Sequence, residues 1–198
     1  MTRSPEAEKI KADRAVDLRK LGVRYQIPRL PNVEKFVLKL ALDDKSRGLT
    51  DNYLLISNGE LNPPLGALVV TTLPPHTPSA KAVFDVVDSM QRDLAKSSYI
   101  LLERREIADL EMGQGIEYLA PGRMSSPCFP TSRFNFSKPD QAIKTVGISR
   151  FFVRGGRLVE LSYIVSVPEG MTPNERNNVA RAEMDSYLSG LTFAEPSH

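Results

Sequence analysis

Residues 143 to 193 read IKTVGISRFFVRGGRLVELSYIVSVPEGMTPNERNNVARAEMDSYLSGLTF, and the internal order of this stretch decides the fold. Two runs of alternating character flank Gly155-Gly156. In the first, Thr145, Gly147, Ser149 and Phe151 share one side of a strand, and Val146, Ile148, Arg150, Phe152 and Arg154 share the other, because successive strand residues point to opposite faces. In the second, Arg157 to Val167, the apolar set Val159, Leu161, Tyr163, Val165 and Val167 opposes Leu158, Glu160, Ser162, Ile164 and Ser166. Glycine reaches the positive φ that a tight primed turn demands, so the glycine pair between two such runs predicts a β-hairpin. The alternation predicts one buried face and one wet face.

Working outward toward the C-terminus, Pro168 and Gly170 stop the return strand. Thr172-Pro173-Asn174-Glu175 then supplies an N-cap, a proline at the first helical position and a capping-box glutamate three residues on. Val179, Ala180, Met184, Tyr187, Leu188 and Leu191 recur near helical spacing, which predicts an amphipathic helix on the sheet, ended by Gly190. Leu191-Thr192-Phe193 can follow as an edge strand.

Toward the N-terminus, strands are expected at 35–42, 53–57 and 66–73. Thr77-Pro78-Ser79 repeats the cap-plus-proline start before Ala80, Val83, Phe84, Val87, Met90 and Leu94, the clearest amphipathic helix in the chain. Residues 99–110 and 115–119 read as strands with a polar outer face. Between 120 and 140, Pro121, Pro127, Pro130 and Pro139 with several serines predict a long irregular loop, a feature that tends to be functional or mobile. Residues 5 to 21 mix acids and bases densely around Ile10, Val16, Leu18 and Leu21, so residues 1–24 are expected to form a helical, solvated arm before a domain covering 25–198. The resulting order of three strands, a helix, four strands, a helix and a final strand is that of an α+β fold, a mainly antiparallel sheet with helices packed on it.

This order resembles the PsbP-like fold, an α/β/α sandwich found in the extrinsic photosystem II subunit, a nuclear Ran-binding factor and many bacterial exported proteins of the DcrB type. The resemblance covers Tyr25 to Phe193. Its most specific part is the ending: Arg157-Leu158-Val159-Glu160-Leu161-Ser162-Tyr163, then Pro168, the capped helix, and Tyr187-Leu188-Ser189-Gly190-Leu191-Thr192-Phe193. The family is a set of binding and adaptor modules without a shared active site, so the likeness implies protein interaction and transfers no catalytic residue. The proline-rich segment 120–140 departs from the family's compact pattern.

Composition narrows the function classes. A chain of 198 residues with 41% apolar content can bury a substantial core. A net charge of +2 is too small for non-specific nucleic-acid binding. No run of 18 apolar residues occurs, so no transmembrane helix is expected. The start, Met1-Thr2-Arg3-Ser4-Pro5, lacks an apolar signal region. Either the protein is cytoplasmic, or a signal peptide has been removed and the domain is exported or periplasmic. Histidine is limited to His76, between prolines, and His198, the last residue; a Ser-His-Asp triad is not expected. Cys128 has no partner at metal-ligand spacing, and in Pro127-Cys128-Phe129 it reads either as a small anchor of the loop or as a thiol awaiting a nearby cation. Gly113-Gln114-Gly115 lacks the lysine and the strand-to-helix setting of a phosphate loop and reads as a turn or bulge. No cofactor or metal is expected.

Arginine is the residue that clusters. Between 120 and 160, Arg123, Arg133, Lys138, Lys144, Arg150, Arg154 and Arg157 face only Asp140 and Glu160, with Phe129, Phe134, Phe136, Phe151 and Phe152 interleaved. A guanidinium presents a planar fork of donors to carboxylates and phosphates, so Arg123, Arg133, Arg150, Phe152, Arg154 and Arg157 form a candidate binding surface for a protein partner, an acidic one. The opposing interpretation pairs the same arginines with Glu103, Glu106, Glu117 or Glu160 on neighbouring strands. Three functions remain in view: a non-enzymatic interaction module, a small anionic-ligand carrier or enzyme using a sheet–helix pocket with Arg123 or Arg133, and an exported domain tethered by its N-terminal arm.

Overall fold

A computed structural model describes residues 15–18, 23–26, 37–42, 51–57, 66–77, 79–98, 103–110, 112–121 and 145–193. Its elements run β1 (Ala15–Leu18), β2 (Val23–Gln26), β3 (Val37–Leu42), β4 (Asp51–Ser57), β5 (Gly66–Thr72), α1 (Ala80–Ser98), β6 (Glu103–Asp109), β7 (Gly113–Pro121), β8 (Thr145–Arg154), β9 (Arg157–Ser166), α2 (Pro173–Leu188) and β10 (Leu191–Phe193). Seven strands form one sheet in the order β3-β4-β5-β9-β8-β7-β6. Every neighbouring pair in it is antiparallel. The α+β class expected from the element order is the one observed.

The β8–β9 hairpin is the hub. Gly155 and Gly156 take φ of 55° and 69°, the successive left-handed conformations that glycine allows at little cost. Ten residue pairs follow, from Arg154 opposite Arg157 to Thr145 opposite Ser166. The expectation of one wet face does not hold: residues 146–152 are all buried, as are 159–163. Alternating parity explains how. Phe152, Val159 and Leu161 pack with Ala180, Met184 and Leu188 of α2. Phe151, one residue along and so on the opposite face, packs with Ile116, Tyr118 and Val87 of α1. One helix covers each face, and the central strands are buried on both.

Both helix starts have local causes. At α2, the Thr172 hydroxyl accepts from the Glu175 amide while the Glu175 carboxylate accepts from the Thr172 amide, with Pro173 leading the helix. At α1, the cap is Ser79, whose hydroxyl accepts from the Ala82 amide at 3.2 Å. Thr77 turns back instead, its amide and hydroxyl both donating to the Pro74 carbonyl.

The helical arm expected over residues 1–24 is corrected at 15–18 and 23–24. Val16-Asp17-Leu18 and Val23-Arg24-Tyr25 alternate in strand fashion, and β1-β2-β10 make a second antiparallel sheet, with Leu191 opposite Tyr25 and Phe193 opposite Val23. Pairing with a strand nearly 170 residues away overrides a charge pattern that by itself suits a helix. The boundary expected after residue 24 falls inside β2. The expected loop at 120–140 lies outside the described residues from 122 onward.

Candidate functional site

Charged side chains concentrate at three places. The first is on the α2 face. Glu117, in the middle of β7, is wholly buried and directly opposite Arg150 of β8. Arg150 donates to it at 2.8 Å, Arg181 of α2 at 2.9 Å and Arg105 of β6 at 2.6 Å. The arginines are tied outward in turn, Arg150 to Asp185 at 2.5 Å and Arg181 to Glu103, which also accepts from Asn177. Burial alone would push the Glu117 carboxyl up, but the hydrogen bonds from Arg105, Arg181 and Arg150 outweigh it and hold it below the usual carboxylate range. Three cations and three anions cancel, and the network joins β6, β7, β8 and α2.

The second place is on the α1 face. Asp88 accepts from Arg104 at 2.8 Å and from the buried Tyr118 hydroxyl. Burial raises the Asp88 carboxyl, and the bonds from Arg104 and Tyr118 bring it below its ordinary value. Burial and the bond to Asp88 push the Tyr118 phenol up, so it stays protonated. Along this flank of α1 runs an open groove of ≈ 340 Å³ lined by Asp85, Asp88, Ser89, Arg92, Asp93 and Lys96.

The third place is the end of the sheet where two turns meet. Gly115 pairs with Phe152, and continuing the register by two residues brings Gly113, at the β6–β7 turn, level with Arg154, at the β8–β9 turn. Leu110 at the first turn is wholly exposed, a large apolar side chain with relative exposure of 107%. Arg154 is exposed and engaged in an interaction, and Arg157 is half-buried. The chain leaving β5 joins this end through the Leu73 amide, which donates to the Gly156 carbonyl at 2.9 Å.

The residues expected to bind therefore separate. Arg150 and Phe152 are buried, the first in the Glu117 network and the second in the α2-side core, and neither belongs to a contact surface. Arg154 and Arg157 stay together at the hairpin tip. Arg123 and Arg133 lie outside the described residues, as do Cys128 and His198. Pro121, two residues before Arg123, ends β7 far from the tip, eight residues and roughly 26 Å along the strand. His76 is exposed in the turn before α1. Among the described residues, no group of three His, Cys, Asp or Glu converges as a metal site, and no helix is long and apolar enough to cross a membrane.

No family model and no curated protein matches the chain. Among solved structures, it is similar to the solution structure of cyanobacterial PsbP (CyanoP) from Synechocystis sp. PCC 6803, with a TM-score of 0.48 and 9% sequence identity over 96% of this chain and 92% of that one.

Sequence reasoning missed Leu110 and Asp88. Leu110 carried a usable signal, an isolated leucine between Asp109 and Glu111 where a strand pattern breaks off. Asp88 carried none, since an aspartate on a helix flank is ordinarily solvated.

Proposed function

We propose that the protein is a non-enzymatic interaction module that grips a protein partner with the turn end of its sheet. The observation that carries this reading is the wholly exposed Leu110 beside a hairpin tip bearing Arg154 and Arg157. An exposed leucine at the tip of a rigid hairpin fills an apolar recess at little conformational cost, and flanking guanidiniums select carboxylates around it. The partner is a protein with an apolar recess rimmed by acidic groups. A chain carrying Leu110→Ser and Arg157→Glu tests this. Leu110 is at a turn and Arg157 is the first residue of β9, beside the hairpin turn, so the thermal midpoint should change little while the partners captured by the unaltered chain from its native source are lost. Capture by the unaltered chain should also weaken as salt rises. Recovery of the same partners by both chains overturns the proposal.

A second reading, a small-ligand carrier, rests on the groove along α1. Its volume lies within the range of small-molecule sites. Its lining pairs acids with bases, Asp85 with Lys81, Asp88 with Arg104 and Asp93 with Lys96, a mixed charge that suits a zwitterionic ligand better than the anionic one expected from the arginine count. A thermal-shift screen separates the readings, since a ligand at 100 times its Kd stabilises by about 2.7 kcal/mol.

A further inference from the structure

Two large apolar side chains of the β6–β7 turn, two residues apart, have opposite fates. Leu110 is wholly exposed, whereas Met112 is buried and belongs to the same core as Phe152. A side chain as exposed as Leu110 adds nothing to that core, and turns ordinarily carry glycine, asparagine, aspartate or serine at such places. The turn therefore displays one leucine while it anchors itself with the neighbouring methionine.

Its course is fixed by three constraints. Asp109 and Gly113 are the last pair of the β6–β7 ladder, so residues 110–112 form the loop between them. Gly113 takes φ of 82°, the positive value that closes short hairpin loops. Met112 holds the second limb down in the core. The third constraint is the Asp109 carboxylate, whose Oδ1 accepts from the Met112 amide at 2.8 Å. Gly113 and Met112 both act after Leu110 in the chain. The Asp109 bond alone of the three spans it, running from the residue before Leu110 to the buried anchor two residues beyond.

We infer that Asp109 is a positioning residue for the contact surface, its bond to the Met112 amide holding Leu110 in one place before a partner arrives. The inference rests on the reading of Leu110 as the anchor of a protein contact, and it supplies the physical cause of that anchor's rigidity. A backbone residue left free in the unbound protein has to be fixed on binding, and the lost entropy weakens affinity by about tenfold per residue. Asparagine at position 109 would keep an oxygen able to accept from the Met112 amide, whereas alanine has none.

The test compares Asp109→Ala, Asp109→Asn and Leu110→Ser in the full chain. Backbone amide order parameters from nitrogen-15 relaxation need no partner. In the unaltered chain and in Asp109→Asn, Leu110 should be as ordered as rigid backbone, about 0.85, and in Asp109→Ala it should fall below about 0.6 while the β8 amides stay unchanged. Affinity is then measured for a partner that the unaltered chain captures and Leu110→Ser does not. Asp109→Ala should bind it about tenfold more weakly, and Asp109→Asn as the unaltered chain does. A mobile Leu110 in the unaltered chain, an ordered one in Asp109→Ala, or full affinity in Asp109→Ala overturns the positioning role and leaves the contact reading standing. Leu110→Ser that captures every partner of the unaltered chain overturns the contact reading and the inference with it. Should the alanine variant fail to fold, Asp109→Val, compatible with a strand end and equally unable to accept, takes its place.

Discussion

Glu117 is where one side chain does most to hold elements together. A buried carboxylate costs several kcal/mol to desolvate and survives only when its partners are well placed, and here β6, β8 and α2 each send an arginine. Glu117→Gln should therefore lower unfolding free energy by about 3–5 kcal/mol, because it removes the buried anion shared by three arginines and leaves Arg150 only the more exposed Asp185 as counter-charge. Arg105→Ala should cost below about 1 kcal/mol, since that side chain is 43% exposed and water screens its pair. Urea unfolding of the two variants distinguishes them. The same groups set the acid limit. Glu117 and Asp88 have folded pKa values below their ordinary 4.5 and 3.8, so their stabilisation is complete above those values and disappears as pH falls through the depressed ones. Half-buried Glu183, raised by burial, has the opposite sign and favours the fold at lower pH. The net expectation is a urea midpoint that falls steeply below about pH 4, with a shallower fall in Glu117→Gln. The sequence offered Glu117 as one of four possible partners for the arginines. Choosing among them required the register that sets it opposite Arg150, and register is a property of two strands separated by a long connection.

Among the elements, β7 shows most clearly what local sequence conveys and what it omits. Gly113-Gln114-Gly115 reads as a turn or bulge, and Gly113 does turn, with φ of 82°. Gly115 serves a different need: a Cβ there would lie 2.6 Å from the Phe151 carbonyl oxygen and 2.6 Å from the Phe152 ring. Gly115→Ala should cost about 1–3 kcal/mol by forcing that ring or the strand to move, read as a lower denaturant midpoint with the sheet retained by circular dichroism. At α2, Thr172→Ala should cost about 1 kcal/mol, the ordinary worth of an N-cap. That cap was visible in the sequence because threonine, proline and glutamate act on their own neighbours. The start of α1 was misplaced by two residues, since both Thr77 and Ser79 qualify by type. What separates them is Pro74, whose carbonyl takes the Thr77 donors.

For the whole molecule, the order β3-β4-β5-β9-β8-β7-β6 puts the longest strands in the interior and leaves β6 as an edge. Opening should follow that order. Hydrogen exchange is expected to be slowest at the β8 and β9 amides, covered by a helix on each face, and fastest at β6 and β10. Equal protection of β6 and β8 would contradict it. The edge is guarded by charge: Glu103, Arg104, Arg105 and Glu106 are exposed, a composition that discourages pairing with another chain. The proposed contact surface lies at the turn end, where the β6–β7 turn carries Leu110 and the β8–β9 turn, some forty residues on, is flanked by Arg154 and Arg157.

The sequence by itself determined what depends on neighbours: the hairpin from its glycines, the capped α2, the amphipathic α1 and the α+β order of elements, because turn sterics, caps and periodicity act over a few residues. Only the tertiary structure decided that β8 and β9 are buried on both sides, that residues 15–18 pair with 23–26 and 23–26 with β10, and that Arg150 serves the core while Arg154 and Arg157 stay at the hairpin tip. An arginine's pattern is the same whether a helix or water lies above it. Which one does is set by where distant segments pack, and that information is carried by no single stretch of the chain.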